Sequence, residues 1–205
     1  MNPLYAVVIK LFGWDMKKYK TIVIDPPWQY GVWGKGSLKC KSPFTKSNRN
    51  IKIPYRTMSI DEIKALPLKD YTADNCELYL WTTQKYLPDA FEILKEWGWK
   101  YCQTLTWCKK PRGTGQGGVY CPTTEFLILG RRGKMPKVKR IDSTWFLTKR
   151  PNNSHSTKPE FFQDMIETVS EPPRLEIFAR RKREGWDVFG NEVESDIQLI
   201  GEKVL

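Results

Sequence analysis

Thr21-Ile22-Val23-Ile24-Asp25-Pro26-Pro27-Trp28 is the stretch on which the reading of this chain turns. Its first four residues form an unbroken apolar, β-branched run. Such a run predicts a buried strand. The strand has to stop at Asp25, because the two prolines that follow lack the N–H a ladder needs and hold φ near −65°. Open α/β sheets place their sites beyond the carboxyl ends of such strands.

Working outward, residues 29–54 show no sustained period and are rich in Gly, Ser, Lys and Asn. That is too long for a plain connector, and residues 29–56 are expected to form a mobile substrate loop. Ser59-Ile60-Asp61-Glu62 has capping-box spacing and predicts a helix start. Glu77-Leu78-Tyr79-Leu80-Trp81 predicts a second buried strand. Over 85–97, Leu87, Phe91, Leu94 and Trp97 trace an amphipathic helix that Gly98 ends. Residues 101–108 and 124–129 predict strands. A basic and then glycine-rich segment, 109–118, is expected as a second mobile loop, and 131–140 as a basic one. Thr157, Lys158, Pro159 and Glu160 predict a helix start with Pro in the first turn, and Phe161, Phe162, Met165, Ile166 and Val169 its apolar face. Leu175-Glu176-Ile177-Phe178 predicts a late strand. This alternation argues an α/β fold, one domain over 1–205, with a mostly parallel central sheet flanked by helices.

Composition narrows the function classes. The 205 residues are 40% hydrophobic and 28% charged, enough for a packed core. Thirty-four basic against 23 acidic residues give +11, which implies a polyanionic partner. The five cysteines are scattered, with no CxxC pair, and His155 is the single histidine, so no metal site is expected. Cys76, Cys102 and Cys108 lie in apolar stretches and are expected in the core. No apolar run approaches a membrane span. Residues 1–12 lack the basic start and cleavage site of a signal peptide. A cytoplasmic protein of a microbial or phage-infected cell is expected.

The tetrapeptide suits one demanding reaction. The N6 lone pair of adenine is delocalised into the ring, so the amine is a poor nucleophile. Two acceptors aimed at its hydrogens, the Asp25 carboxylate and the Pro26 carbonyl, would favour a tetrahedral nitrogen able to attack a methyl sulfonium. Pro26 and Pro27 stiffen the backbone that aims the carbonyl. Trp28 offers a face for base stacking, and a fixed carboxylate stabilises positive charge growing on N6. Taken alone, the same residues describe a strand-ending turn with a core Trp.

Together with Pro54-Tyr55-Arg56-Thr57-Met58-Ser59, Leu78-Tyr79-Leu80-Trp81, Thr106-Trp107-Cys108-Lys109, Ser156-Thr157-Lys158-Pro159-Glu160, Glu176-Ile177-Phe178-Ala179-Arg180 and Gly190-Asn191-Glu192, the tetrapeptide resembles the MT-A family of DPPW-type N6-adenine methyltransferases. The blocks span about residues 19–192 in the family's order. The resemblance implies a permuted Rossmann-like fold dependent on S-adenosyl-L-methionine, with the catalytic motif first and much of the cofactor pocket last. By that likeness Asp25 approaches the cofactor, Lys158 reaches toward the cofactor or the active-site loop, and Glu176 binds the ribose hydroxyls. Phe178 and Arg180 flank the cofactor, with Asn191 and Glu192 near its ribose or adenine. Without the resemblance, Lys158 and Arg180 read as surface charges and Phe178 as core. Ala179 stands where the family often has Gly, and Glu192 where Gln is common.

Gly113, Gly115 and Gly118 match GxGxxG, but basic residues precede them and an aromatic, β-branched stretch follows, so no dinucleotide fingerprint is expected. Basic runs at Lys109, Lys110 and Arg112, at Arg131, Arg132, Lys134, Lys137, Lys139 and Arg140, at Lys149-Arg150 and at 180–183 are candidates for phosphate contacts, with Tyr55 beside the base. The expected substrate is DNA. An RNA N6-adenine methyltransferase and a non-catalytic nucleic-acid-binding subunit of the same fold are the alternatives, and a homodimer or heterodimer stays open.

Overall fold

A computed structural model of the chain describes residues 17–29, 56–110, 120, 122–134, 139–151 and 157–199. Both expected mobile loops lie almost wholly outside these residues, as do Tyr55, Arg112, Lys137, His155 and the GxGxxG glycines.

Seven strands form one sheet in the order β5-β3-β4-β2-β1-β6-β7. They are β1 (Tyr19–Ile24), β2 (Thr72–Thr82), β3 (Lys100–Lys110), β4 (Thr124–Arg132), β5 (Trp145–Lys149), β6 (Arg174–Ile177) and β7 (Trp186–Phe189). β1 lies inside the sheet, parallel to β2 on one side and β6 on the other. Ile22 and Ile24 pack into the cluster on one face and Val23 into that on the other, which is why this strand carries no polar alternation. The sheet is mostly parallel, as expected; β4 alone runs against its neighbours β2 and β3. β5 and β7 carry no run long enough to stand out in the sequence. They exist by pairing, parallel, with β3 and β6.

Helices cover both faces. The capping box at Ser59 forms as read: its hydroxyl accepts from the Glu62 N–H and the Glu62 carboxylate accepts from the Ser59 N–H. It starts α1 (Ile60–Lys64). Helix α2 (Leu87–Glu96) ends at Gly98, whose φ of 89° suits glycine. Its buried stripe is Ala90, Ile93, Leu94 and Trp97; Phe91, expected inside, is 36% exposed. Helix α3 (Glu160–Val169) packs Phe162, Met165 and Ile166 on the opposite face, each burial stabilising by about 1.5–3 kcal/mol. Phe161 is exposed instead, and Pro159 is the capping residue before α3 rather than part of its first turn. Cys76 is buried, whereas Cys102 is exposed, at an irregularity in the β3–β4 register, and Cys108 is half-buried.

Candidate active site

Asp25 is the first residue past β1, and its N–H still donates to the Ile177 carbonyl of β6. Beyond it the prolines stop the ladder, and the chain is held in other ways. The Trp28 N–H donates to the Pro26 carbonyl at 2.8 Å, and the Met58 N–H to the Pro27 carbonyl at 2.9 Å. The Trp28 indole N–H donates to the Trp81 carbonyl, and its ring stacks on Tyr86 at 4.9 Å and 16°. Trp28 is only 3% exposed. The open face expected for a base is therefore occupied by Tyr86, brought in by a 3-10 turn at Gln84–Tyr86. In this conformation Trp28 clamps the Asp-Pro-Pro turn to the end of β2.

The Asp25 carboxylate enters a cluster of buried charges. Its Oδ2 accepts from Lys158 Nζ at 2.6 Å. The same ammonium lies 3.3 Å from Glu125 Oε2, and Lys109 Nζ lies 2.5 Å from Glu125 Oε1. Indole faces flank both lysines: Lys158 lies 5.4 Å from the Trp81 ring and Lys109 5.3 Å from that of Trp107. Burial pushes the Asp25 carboxyl above its ordinary range, against the pull of Lys158. Burial alone would depress Lys158, but Asp25 and Glu125 more than offset it and hold the ammonium above its usual range. Burial opposes ionisation of Glu125 too, yet Lys158 and Lys109 hold it below the usual carboxylate range. Glu125 escaped the sequence reading. The signal was there: a single carboxylate opening the apolar run of β4 must find a partner or stay neutral.

The carboxyl ends of β6 and β7 supply the second half of the site. Glu176, facing Val23 and Val188 in register, accepts from Gln163 Nε2 of α3, and burial raises its carboxyl to about 6. Gln163, also unread in the sequence, links Glu176 to Arg181. Phe178 leaves β6 at φ 65°, a left-handed conformation that a bulky side chain adopts at a cost and that clusters at functional sites. Gly190 follows β7, and a Cβ there would stand 2.0 Å from the Ala179 carbonyl oxygen. The close approach is granted by Gly190, so Ala179 is tolerated where a glycine is common. Asn191 and Glu192 are exposed on the same edge, and Glu192 lies 3.6 Å from Arg180.

The basic residues divide. Lys110, Lys149 and Arg150 are exposed at the carboxyl ends of β3 and β5, the edge that carries Asp25. Lys109, read as a phosphate contact, is committed to Glu125 because strand alternation turns it to the Trp107 face. Arg131 and Arg132 pair in register with Glu77 and Cys76, level with the start of β1, roughly 13 Å back along the strands from Asp25. The reversal of β4 carries them there, and Arg131 is paired with the buried Glu77. Lys134, Lys139 and Arg140 are exposed, with Arg140 on Asp142. In the 180–183 run, Arg181, Lys182 and Arg183 are paired with Glu160, Asp196, Asp164 and Glu167, which pins this segment to α3 and the chain's end.

The MT-A70 family model matches residues 19–192. The Type II methyltransferase M.MunI of a Mycoplasma species is 29% identical over 201 residues, covering 94% of this chain and 84% of its own. Human N(6)-adenine-specific methyltransferase METTL4 is 32% identical over 86% of this chain and 38% of its own. The Arabidopsis thaliana N(6)-adenosine-methyltransferase MT-A70-like is 26% identical over 95% of this chain and 26% of its own. The chain thus spans most of the bacterial relative and well under half of each eukaryotic one.

Proposed function

This chain belongs to the MT-A70 family and is an S-adenosyl-L-methionine-dependent methyltransferase acting on N6 of adenine in nucleic acid; we propose that its nucleic acid is DNA. The observation that carries the catalytic reading is the placement of Asp25: a shielded carboxylate at the carboxyl end of a central strand, held by a buried ammonium. The preference for DNA rests on the likeness to a bacterial Type II methyltransferase, which covers most of both chains.

The residues suit the chemistry. A carboxylate offers about four lone-pair sites, so the bond to Lys158 leaves Asp25 able to accept from N6. The Pro26 carbonyl has one lone pair in use with Trp28 and one to spare. S-adenosyl-L-methionine supplies an electrophilic methyl group on a sulfonium. Glu176, a buried acceptor at a strand end, fits its ribose diol, and Phe178, Arg180, Asn191 and Glu192 line the same edge. The anionic Asp25 stabilises positive charge developing on N6. A target in a duplex must first be flipped out. Lys110, Lys149 and Arg150 are the phosphate contacts best placed to hold it, with Lys139 and Arg140 further along the duplex, whereas Lys134, whose N–H donates to Asn75, lies on the far edge with Arg131 and Arg132.

Exposed Trp145 and Leu147 on edge strand β5 support an oligomeric form. Among the described residues no helix is long and apolar enough to cross a membrane, and the likeness to a bacterial methyltransferase supports an enzyme of the cytoplasm of a microbial or phage-infected cell. The test is methylation of matched DNA and RNA oligonucleotides, read as N6-methyladenine by mass spectrometry. DNA is expected to be modified. Transfer to RNA alone would move the assignment to RNA, and transfer to neither would make the chain a non-catalytic subunit.

A further inference from the structure

We propose that Glu125 and Lys109 are positioning residues for methyl transfer: with Lys158 they form a line of alternating charges that sets how tightly Lys158 holds Asp25. The proposal rests on the adenine-N6 reading above and adds two residues to it. The line runs Lys109, Glu125, Lys158, Asp25, with successive separations of 2.5, 3.3 and 2.6 Å. The side chains are 13, 11, 15 and 27% exposed in that order, so solvent screens the first three little and Asp25 somewhat more.

The scaffold holds this line stiffly. Glu125 pairs in register with Trp107, two residues before Lys109 on the same face of β3. Trp81, over which Lys158 sits, pairs with Leu127, two residues after Glu125. Trp81 and Trp107 contact each other edge to face at 6.3 Å. A carboxylate in the row Glu125, Leu127, Leu129 costs stability unless it is paired. A core that needed only packing has no use for it.

Its use lies in the balance of charge at Asp25. Were Lys158 given to Asp25 alone, the ammonium would cancel the field that stabilises positive charge on N6 and compete for the carboxylate's lone pairs. Glu125 shares the ammonium, so less of its charge is spent on Asp25, while the line of four, two ammoniums and two carboxylates, is neutral as a whole. Lys109 keeps Glu125 ionised and stops it from drawing Lys158 away entirely. The other charged groups facing Asp25 are Arg180, after β6, and Glu176, on β6. Lys85 lies on the Trp28 side, reaching the Gln29 carbonyl.

The geometry therefore predicts opposite effects. Glu125→Gln takes the second carboxylate from Lys158 and a negative neighbour from Asp25, so the acidic limb of kcat moves to lower pH. Lys109→Met lets Glu125 compete harder for Lys158 and removes a positive charge, so the limb moves to higher pH. Both lower kcat, by up to about 10²-fold where the carboxylate shifts out of line, while KM for the oligonucleotide and calorimetric affinity for S-adenosyl-L-methionine stay within about twofold of the parent's.

The experiment measures kcat against pH on the full chain for parent and both variants, with thermal melts in parallel. Limbs that move apart in these directions support the relay. Limbs that stay put or move together overturn it, as does a variant with a lowered melting temperature and parental kcat, which makes the line a structural pair. A folded parent that transfers no methyl to adenine overturns the underlying reading as well, and so is told apart from failure of the relay alone.

Discussion

Replacing Asp25 with Asn keeps the shape of the side chain and removes its charge, so it separates the role of the anion from that of the fold. In the structure the substituted amide oxygen still faces Lys158, and Lys158 keeps Glu125 at 3.3 Å. The structural loss is one charge-assisted hydrogen bond, about 1.5–3 kcal/mol. For a chain of this size that lowers Tm by roughly 3–12 °C, short of unfolding at 25 °C. The catalytic loss has a different source. The line of Asp25, Lys158, Glu125 and Lys109, neutral in the parent, becomes net positive where N6 turns cationic, and a preorganised carboxylate of this kind is worth about 10²–10³ in kcat, or ~2.7–4 kcal/mol. The assay is single-turnover transfer of a labelled methyl group to an adenine-containing duplex, with circular dichroism and cofactor calorimetry on the same samples. The expectation is a folded variant with near-parental cofactor affinity and kcat reduced at least about 10²-fold. A folded variant within a few-fold of parental kcat would refute the assignment of Asp25 to the N6 amine.

Glu176→Ala should weaken S-adenosyl-L-methionine by ~1–3 kcal/mol in calorimetry, since a buried hydroxyl pair loses its acceptor; unchanged affinity would remove Glu176 from the ribose. Because burial raises this carboxyl to about 6, the acceptor form is lost as pH falls through that value. Cofactor affinity should fall with it, and Glu176→Gln should erase the inflection. The sign for stability of the free protein is the reverse: a raised carboxyl pKa favours the fold at low pH, so this group's contribution declines as pH rises through about 6. Gly190→Ala forces a Cβ to 2.0 Å from the Ala179 carbonyl oxygen, a backbone contact that cannot swing aside. About 1–3 kcal/mol of stability should be lost in thermal melts, and a neutral result would mean the β6–β7 ends are not so tightly joined. Neutralising Lys110, Lys149 and Arg150 should lower the log–log salt slope of DNA binding by about 0.7–0.9 per contact, measured by anisotropy. Neutralising Arg131 and Arg132 should leave the slope nearly unchanged, and the opposite ranking would put the duplex on the other edge of the sheet.

Residues close in sequence were enough for much of this protein. Thr21 to Asp25 announced a buried strand and its end, Ser59 and Glu62 a capped helix, and Leu94, Trp97 and Gly98 a helix with its stop. Burial and turn chemistry act over a few residues, so the chain carries them as a local pattern. The ordered motifs from Asp25 to Glu192 likewise identified the chemistry, since they report residue types and not positions.

Tertiary structure decided what depends on residues far apart in sequence. An apolar run has the same period in either direction, so nothing in 124–129 told that β4 is reversed, or that Arg131 and Arg132 therefore leave the Asp25 edge. β5 and β7 needed partners before they were strands at all. Trp28 lost its open face to Tyr86, 58 positions away, and Lys109 lost its phosphate to Glu125 across a strand pair. A charge looks the same in sequence whether it is solvated or buried against its opposite. Only the packing that removes water from Lys109, Glu125 and Lys158 turned a basic run and an unremarked carboxylate into the setting of Asp25.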